Sequence, residues 1–126
     1  MKTFGEVKEN DIIYGVYVSE YAYDQHAVKY DIVEYRVKKV HDDVEHKVRG
    51  IDFVDDEVVF VSHLDLTDYE LERNEVWERN FVFFTTEEDA RMHVRTNYNK
   101  LIEFAMMHKR KYDRIVEKLE ENMKNY

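Results

Sequence analysis

Apolar and polar residues alternate with a period of two along most of the first two thirds of the chain. This pattern is typical of β-strands that bury one face. In "DIIYGVYVSEY" (residues 11–21) the alternating apolar residues are Ile12, Tyr14, Val16 and Val18. The stretch therefore predicts a first strand with one face in a core.

The second alternating stretch, "AVKYDIVEYRVKKV" (residues 27–40), changes phase along its length. Val28, Tyr30 and Ile32 share one face, whereas the alternation continues from Val33 on the other. This change predicts either a bulge near Ile32 or a strongly twisted strand that serves both faces of the sheet.

Three further apolar stretches predict three more strands, with polar connections between them. The connections are a hairpin turn at "HDDVEHK" (41–47), a turn at "DDE" (55–57), and a charged stretch, "TDYELERNE" (67–75), with a helical turn. The last strand is aromatic on both faces near its end, which predicts a central position in the sheet. The three strands are "VRGIDFV" (48–54), "VVFVSHLDL" (58–66) and "VWERNFVFF" (76–84).

The stretch "TTEEDA" (residues 85–90) predicts the start of a long helical segment. Thr85 and Glu88 have capping-box spacing, and acidic residues stand at the start of the helix, where its dipole favours them. No proline or glycine interrupts the rest of the chain, and an apolar stripe recurs with a 4-3-4-3 spacing. The stripe consists of Val94, Tyr98, Leu101, Ala105, His108, Tyr112, Ile115 and Leu119.

A continuous helix over this segment would be about 55 Å long at roughly 1.5 Å per residue, longer than a small sheet can cover. The segment is therefore expected either to break at "TNYN" (96–99), whose residues are poor helix formers, or to extend across another subunit. Both alternatives predict a helical interface and a homo-oligomer, a dimer or higher.

The predicted fold class is α+β: a five- or six-stranded, mostly antiparallel sheet followed by one long or two shorter C-terminal helices. Residues 1–126 are expected to form a single domain. Residues 1–85 would form the sheet, and residues 86–124 the helical oligomerisation segment.

Composition narrows the function classes. The chain has three glycines and no cysteine, and it contains no glycine-rich phosphate loop, which excludes P-loop and Rossmann sites and thiolate metal sites. No apolar stretch is long enough to span a membrane, so a soluble, cytoplasmic protein without membrane partners is expected. No cofactor is predicted.

Charge is divided unevenly along the chain. Residues 1–90 carry a net charge of −13 and residues 91–126 a net charge of +4. The acidic part should repel nucleic acid, so DNA or RNA is not an expected partner. A small anion that contacts only the basic segment remains compatible with this distribution.

No set of residues predicts catalysis, because nothing in the sequence joins a nucleophile, a base and an oxyanion donor. The turn at residues 41–46 offers His41, Asp42, Asp43 and His46 to a divalent metal, but a solvated hairpin is the favoured alternative and no metal site is predicted. A non-enzymatic function is therefore expected, with a hydrolase as the enzymatic alternative.

The basic segment offers two arginine pairs with helical spacing. Arg91 and Arg95 are four residues apart, as are Arg110 and Arg114, so each pair shares a helix face. Two guanidinium groups at this spacing can bind a diphosphate, and "FVFF" (81–84) offers flat aromatic faces for a base. The alternative is that these cations form ordinary salt bridges on the surface.

The strand, "FFTTEEDA" and the arginine-bearing helix together resemble the Thoeris anti-defence 1 family of phage proteins, which sequester cyclic ADP-ribose isomers without degrading them. The resemblance implies that Phe83, with Phe84 as the alternative, stacks on the adenine while Arg110 and Arg114 bind the diphosphate. It also implies a polar residue near the start of the helix, for which the candidates are His93, Asn97 and Asn99.

The function implied by this resemblance is the binding of a cyclic nucleotide immune signal in the cytoplasm of a bacterial host cell, which blocks an anti-phage defence. Cyclic oligonucleotides are a further implied ligand class. Arg95 belongs to the same set of candidate binding residues through its spacing. The alternative function is an acidic phage protein that inhibits a host protein by direct contact or by mimicking nucleic acid.

Overall fold

The computed structural model describes residues 2–22, 27–57, 61–107 and 109–126, with the backbone alone for residues 22 and 109–112. It confirms the α+β class: a curled six-stranded sheet is followed by C-terminal helices. Every strand pairing is antiparallel, and the strand order is β4-β3-β2-β1-β6-β5.

The elements follow the chain from a short 3₁₀-helix to two long helices. The 3₁₀-helix spans Phe4–Glu6. The strands and helices are β1 (Ile12–Ala22), β2 (Ala27–Asp43), β3 (Val48–Val54), β4 (Val61–Thr67), α1 (Asp68–Leu71), β5 (Glu75–Glu78), β6 (Phe81–Phe84), α2 (Glu87–Met106) and α3 (Lys109–Met123).

No β-bulge accounts for the phase change in β2. The β1–β2 register runs without interruption from Ile12 opposite Arg36 to Val18 opposite Tyr30, and the shifts lie outside this stretch. Since successive side chains of a strand point to opposite faces, Ile32 faces one core and Val37 the other. The twisted-strand alternative is therefore correct, and the bulge near Ile32 is wrong.

Two hydrophobic cores lie on opposite faces of the sheet. The helix-side core is formed between the sheet and the helices α2 and α3, and the curl-side core is enclosed by the bend of the sheet and the N-terminal segment. The helix-side core includes Val16, Val82, Phe84, Val94, Tyr98, Ile115 and Leu119. The curl-side core includes Phe4, Ile13, Val37, Ile51, Phe53, Leu66 and Phe83.

The predicted last strand, residues 76–84, is a hairpin instead. It divides into β5 and β6 around Arg79, which adopts a positive φ of 51°. Tight hairpin turns need such a conformation and usually take it from glycine or asparagine, so "ERN" gave no turn signal. β6 lies inside the sheet, as predicted, whereas β5 is an edge strand.

The cap of α2 lies one residue later than predicted. The hydroxyl of Thr86 accepts a hydrogen bond from the Asp89 N–H at 3.3 Å and donates one to the Asp89 carboxylate at 2.8 Å. Thr85 is buried, and its hydroxyl donates to the Lys2 carbonyl at 2.7 Å. The Thr85–Glu88 capping box is therefore wrong, because Thr85 links the N-terminal segment to the sheet.

The helical segment breaks after Met106, and residues 96–99 are helical. Burial of Tyr98 in the helix-side core outweighs the low intrinsic helix propensity of "TNYN", so the break predicted there is wrong. α3 packs back against α2, and Ile115 and Leu119 share the core of Val94. Most of the described residues of the apolar stripe are thus buried within one chain, and the homo-oligomer stays a prediction. His108 and the side chain of Tyr112, also predicted on the stripe, lie outside the described residues.

Candidate functional site

A surface groove of about 640 Å³ runs along α2 beside the end of the chain, and it contains two of the candidate binding residues, Arg95 and Asn99. We call it the α2 groove. Its volume lies in the range of small-molecule sites. It is lined by Glu87, Glu88, Arg91, Met92, Arg95, Thr96, Asn99 and Tyr126.

The helix itself aligns the polar residues of the groove. Arg91, Arg95 and Asn99 are spaced four residues apart, so they lie on one side of α2. The core residues Val94 and Tyr98 occupy the buried side, which fixes the rotation of the helix about its axis. The groove residues are therefore directed outward because the apolar stripe is directed inward.

Arg91 is held at the centre of the groove. Its Nε donates to the Glu87 carboxylate at 3.1 Å, and its Nη1 donates to the Asn125 carbonyl at 3.2 Å. Its guanidinium carbon lies 5.8 Å from the centre of the Tyr126 ring, in cation–π contact. These three contacts orient the guanidinium plane before any ligand arrives.

Both arginines are exposed, but Arg95 differs from Arg91 because it forms no ion pair with any residue that the structure describes. Glu87 already neutralises Arg91 in part, and Glu88 adds a second carboxylate to the rim. Arg95 is therefore the cation most available to an incoming anion. The carboxylates suit hydroxyl groups rather than phosphates, so the groove can bind a ligand that carries both.

Tyr126 is fixed in the groove by its contact with a strand edge that side chains have closed. Among the described strands, β3 pairs with β2 only from Arg36 onward, and none pairs with the first half of β2 on that side. Tyr98 Oη accepts from the Tyr30 N–H at 2.7 Å, Tyr126 Oη donates to the Tyr30 carbonyl at 2.8 Å, and Asn122 donates to the Val28 carbonyl at 3.2 Å. Tyr126 is thereby fixed beside Arg91.

Burial of these tyrosines keeps their hydroxyl groups protonated. Desolvation raises the pKa of Tyr98 to about 12 despite the hydrogen bond from the Tyr30 backbone, and desolvation also raises the pKa of Tyr126. Tyr126 can therefore donate to the Tyr30 carbonyl throughout the neutral range. A second depression of about 380 Å³ adjoins Arg91 and Tyr126 on the side of Tyr14 and Glu34.

Three further candidate residues gather on the opposite flank of α2. Phe84 is buried with its ring 5.1 Å from that of His93, and Asn97 Nδ2 donates to His93 Nε2 at 2.9 Å. Burial lowers the pKa of His93, which keeps the ring neutral and able to accept this bond at pH 7. Trp77 covers the other side of His93 at 5.7 Å. The structure thus does not bring these residues into the α2 groove.

Phe83 and the arginine pair of α3 lie elsewhere again. Phe83 is only 4% exposed in the curl-side core, where its ring contacts Tyr35 and Phe53, on the sheet face away from the helices. Arg114 is exposed on α3, and the side chain of Arg110 lies outside the described residues. The structure therefore does not bring Phe83 and Arg114 together.

The histidines of the predicted turn bind aspartates rather than one another. His46 Nδ1 lies 2.8 Å from Asp43, and His41 Nε2 lies 2.9 Å from Asp52 on β3. His63 lies between Asp52 and Asp65, at 2.5 and 2.6 Å. Hydrogen bonds that the His63 ring donates to both carboxylates raise the pKa of His63, and the two histidines lower the pKa of Asp52. Within the described ranges no three such side chains form a metal site.

The sequence had no local signal for the most constrained residue of the groove. Tyr126 follows the end of α3, whereas its contact Arg91 lies near the start of α2. Only the return of α3 along α2 brings the two residues together. Arg91 was recognised by its spacing from Arg95, but its contact with Tyr126 depends on the break after Met106.

Comparison with known proteins does not identify the site, so a functional assignment depends on the geometry and charge of the α2 groove. No family model matches the sequence, and no curated protein or solved structure is significantly similar to it. None of the helices in the described ranges has the length and apolar character needed to cross a membrane. The resemblance to the phage family therefore stays a prediction.

Proposed function

We propose that the protein binds a small phosphorylated nucleotide in the α2 groove and retains it without chemical change. The observation that carries this proposal is the pair Arg91 and Arg95 on one side of α2, facing a groove that Tyr126 closes. Two guanidinium groups at this spacing suit a diphosphate, which they can bind by charge-assisted hydrogen bonds.

The other groove residues suit the rest of a nucleotide. Asn99 and Thr96 offer donors and acceptors for a ribose, Glu88 can accept from ribose hydroxyl groups, and exposed Met92 offers an apolar surface to a base. Within this ligand class, the resemblance to the phage family favours a cyclic ADP-ribose isomer. The protein would then act in the cytoplasm of a bacterial host cell by removing an immune signal.

The groove favours binding over catalysis. Its lining contains arginines, glutamates, Thr96, Asn99, Met92 and Tyr126, with no histidine or serine among the described residues that form it. The nearest histidine along α2, His93, lies on the opposite flank and is already bonded to Asn97. Thr96 has no histidine beside it in this lining, so the nucleophile–histidine pair of serine-type hydrolases does not occur among these residues.

A ligand screen by thermal shift tests the proposal. Cyclic ADP-ribose isomers and cyclic oligonucleotides are added separately to the purified protein. A ligand present at a thousandfold excess over its dissociation constant should stabilise the fold by roughly 4 kcal/mol. Heating the complex and chromatographing the supernatant then separates retention, which returns intact ligand, from hydrolysis, which returns a product.

Matched arginine variants locate the site. Arg95→Ala should weaken nucleotide binding at least about tenfold, a loss of roughly 1.4 kcal/mol, because it removes one charge-assisted contact. The double variant Arg110→Ala with Arg114→Ala is the control on α3 and should bind as the parent does. A reversed result would move the site to α3, and the absence of any stabilising nucleotide would refute the proposed function.

A further inference from the structure

The edge of the sheet at β5 is open, and two exposed aromatic side chains stand beside it. Among the described strands, β5 pairs only with β6. Trp77 is 64% exposed, and Tyr69 on α1 is 67% exposed. Both border a depression of about 460 Å³ together with Arg73 and Glu75. We call this surface the β5 edge.

The phase of the hydrogen bonds shows which backbone groups point outward. The Thr85 N–H donates to the Asn74 carbonyl at 3.2 Å, so Asn74 and Thr85 form a hydrogen-bonded pair. Such pairs alternate in an antiparallel ladder, so Val76 also bonds to β6, and the N–H and C=O groups of Glu75 and Trp77 point to the open side. An extended peptide can pair with these groups.

Trp77 is fixed in position beside that open side. Its Nε1 donates to the Glu75 carboxylate at 2.6 Å, and its ring meets the ring of His93 at 5.7 Å with an interplanar angle of 80°. Most of the indole is nevertheless exposed. Large exposed aromatic side chains that are already ordered lose little entropy on binding, and they are frequent anchors in protein interfaces.

The charge of the surrounding segment indicates the partner. Residues 68–80, which include α1 and β5, contain five carboxylates and two arginines. One of these arginines, Arg73, already lies over the Tyr69 ring at 5.3 Å and donates to its hydroxyl. This internal contact shows that the edge accommodates a guanidinium against an aromatic ring, whereas the Trp77 indole has no arginine or lysine over it among the described contacts.

We infer that the β5 edge binds an extended basic peptide segment of a partner protein, which pairs with Glu75 and Trp77 through its backbone. Its lysine or arginine side chains pack against the Trp77 indole and the carboxylates of residues 68–80. A second copy of this chain does not fit as well, because two segments of the same negative charge would meet edge to edge.

The single tryptophan of the chain makes this interaction directly measurable, because Trp77 is the only source of indole fluorescence. The probe is a nine-residue peptide of alternating lysine and valine with blocked termini. It should change Trp77 emission in a saturable way, and binding should weaken as salt rises. The same peptide with glutamate in place of lysine, or with proline at its central positions, should give no saturable change.

Variants and hydrogen exchange locate the contact. Trp77→Ala should weaken peptide binding, followed by calorimetry, at least about tenfold, because it removes the aromatic anchor. Tyr21→Ala, which removes an aromatic side chain of 58% exposure on β1, is the matched control and should bind as the parent does. Peptide binding should slow amide exchange at Glu75 and Trp77.

The inference is wrong if exchange slows along β4 instead of β5, or if the glutamate peptide binds as well as the lysine peptide. It is also wrong if Trp77 emission responds to an oligosaccharide, such as chitohexaose, and not to the basic peptide. Sedimentation at the same protein concentration tests for self-association. If the parent self-associates and Trp77→Ala does not, the partner at the β5 edge is a second copy of this chain rather than a basic peptide.

Discussion

Two strand edges border the helices, and they differ in whether side chains bond to their outward backbone groups. At the first half of β2, side chains of Tyr98, Asn122 and Tyr126 bond to the outward backbone groups. At β5, no corresponding side chain covers the outward groups of Glu75 and Trp77 in the part of the chain that the structure describes. One edge is closed by the fold, and the other keeps its capacity to pair.

The difference shows how one helix can separate two kinds of surface. Closing the β2 edge brings Tyr126 against Arg91 and so produces a concave groove in which one cation, Arg91, is already oriented. Leaving the β5 edge open presents Trp77 in an acidic surrounding instead. Uncovered edges favour unwanted pairing, and β5 limits this risk through its short length and its charge. The groove suits a small anion, and the open edge suits a basic chain.

The largest expected effect contrasts a buried and an exposed aromatic residue of the β5–β6 hairpin, Phe83 and Trp77. Phe83→Ala should lower the free energy of unfolding by about 3–5 kcal/mol, because it leaves a cavity in the curl-side core. Trp77→Ala should change it by no more than about 0.5 kcal/mol, because the indole is exposed. Urea denaturation measures both. An equally large loss at Trp77 would show that the β5 edge is part of the fold rather than an open surface.

A medium effect is expected at the Tyr98 hydroxyl group, one of the three side-chain groups that close the β2 edge. Tyr98→Phe keeps the packed ring but removes the acceptor of the Tyr30 N–H, which should cost about 1–3 kcal/mol of unfolding free energy. Tyr69→Phe, an exposed tyrosine beside the open edge, is the matched control and should be nearly neutral. Equal stability of Tyr98→Phe and the parent in urea would mean that this hydroxyl does not close the edge.

The smallest expected effect concerns β4, the other edge of the sheet, where His63 is held between Asp52 and Asp65. The two carboxylates raise the pKa of His63 above its ordinary value near 6.5, so the contact stabilises the fold below that pH. The stabilisation is lost as pH rises through the raised value. A thermal unfolding series should therefore show a small decrease in Tm above pH 6.5 that His63→Asn abolishes.

The histidine of the hairpin turn provides the control for that series. His46→Asn removes an imidazole of similar chemistry whose described hydrogen bond is to Asp43, three residues earlier. The variant should keep the decrease above pH 6.5. If both variants flattened the profile equally, the pH dependence would not originate at β4.

The periodic patterns of the sequence predicted the secondary structure where burial follows a regular spacing. The period-two stretches of β1, β2 and β3 were correct, as was the helical turn that became α1. The errors lie at Arg79, at Thr85 and in residues 96–99. In each case a distant contact or an unusual backbone conformation decided the outcome, and no local residue pattern encodes either of them.

The candidate site was less predictable than the fold. Arg95 and Asn99 lie together because their spacing matches one helix face, which the sequence contains. Phe83 and Phe84 are adjacent in sequence but belong to opposite cores, since successive residues of a strand alternate between faces. A search for flat aromatic faces cannot distinguish a buried ring from an exposed one until both faces of the sheet have been assigned.

By itself, the sequence determined that this chain folds as a sheet followed by helices and that its net positive charge lies on the helical part. These properties follow from local periodicity and composition, which need no long-range contact. Only the tertiary structure decided that the helices fold back within one chain, that Tyr126 meets Arg91, and that the edge at Trp77 stays open. Each of these depends on residues distant in sequence becoming neighbours, because burial of the apolar stripe selects one packing among several that the pattern allows.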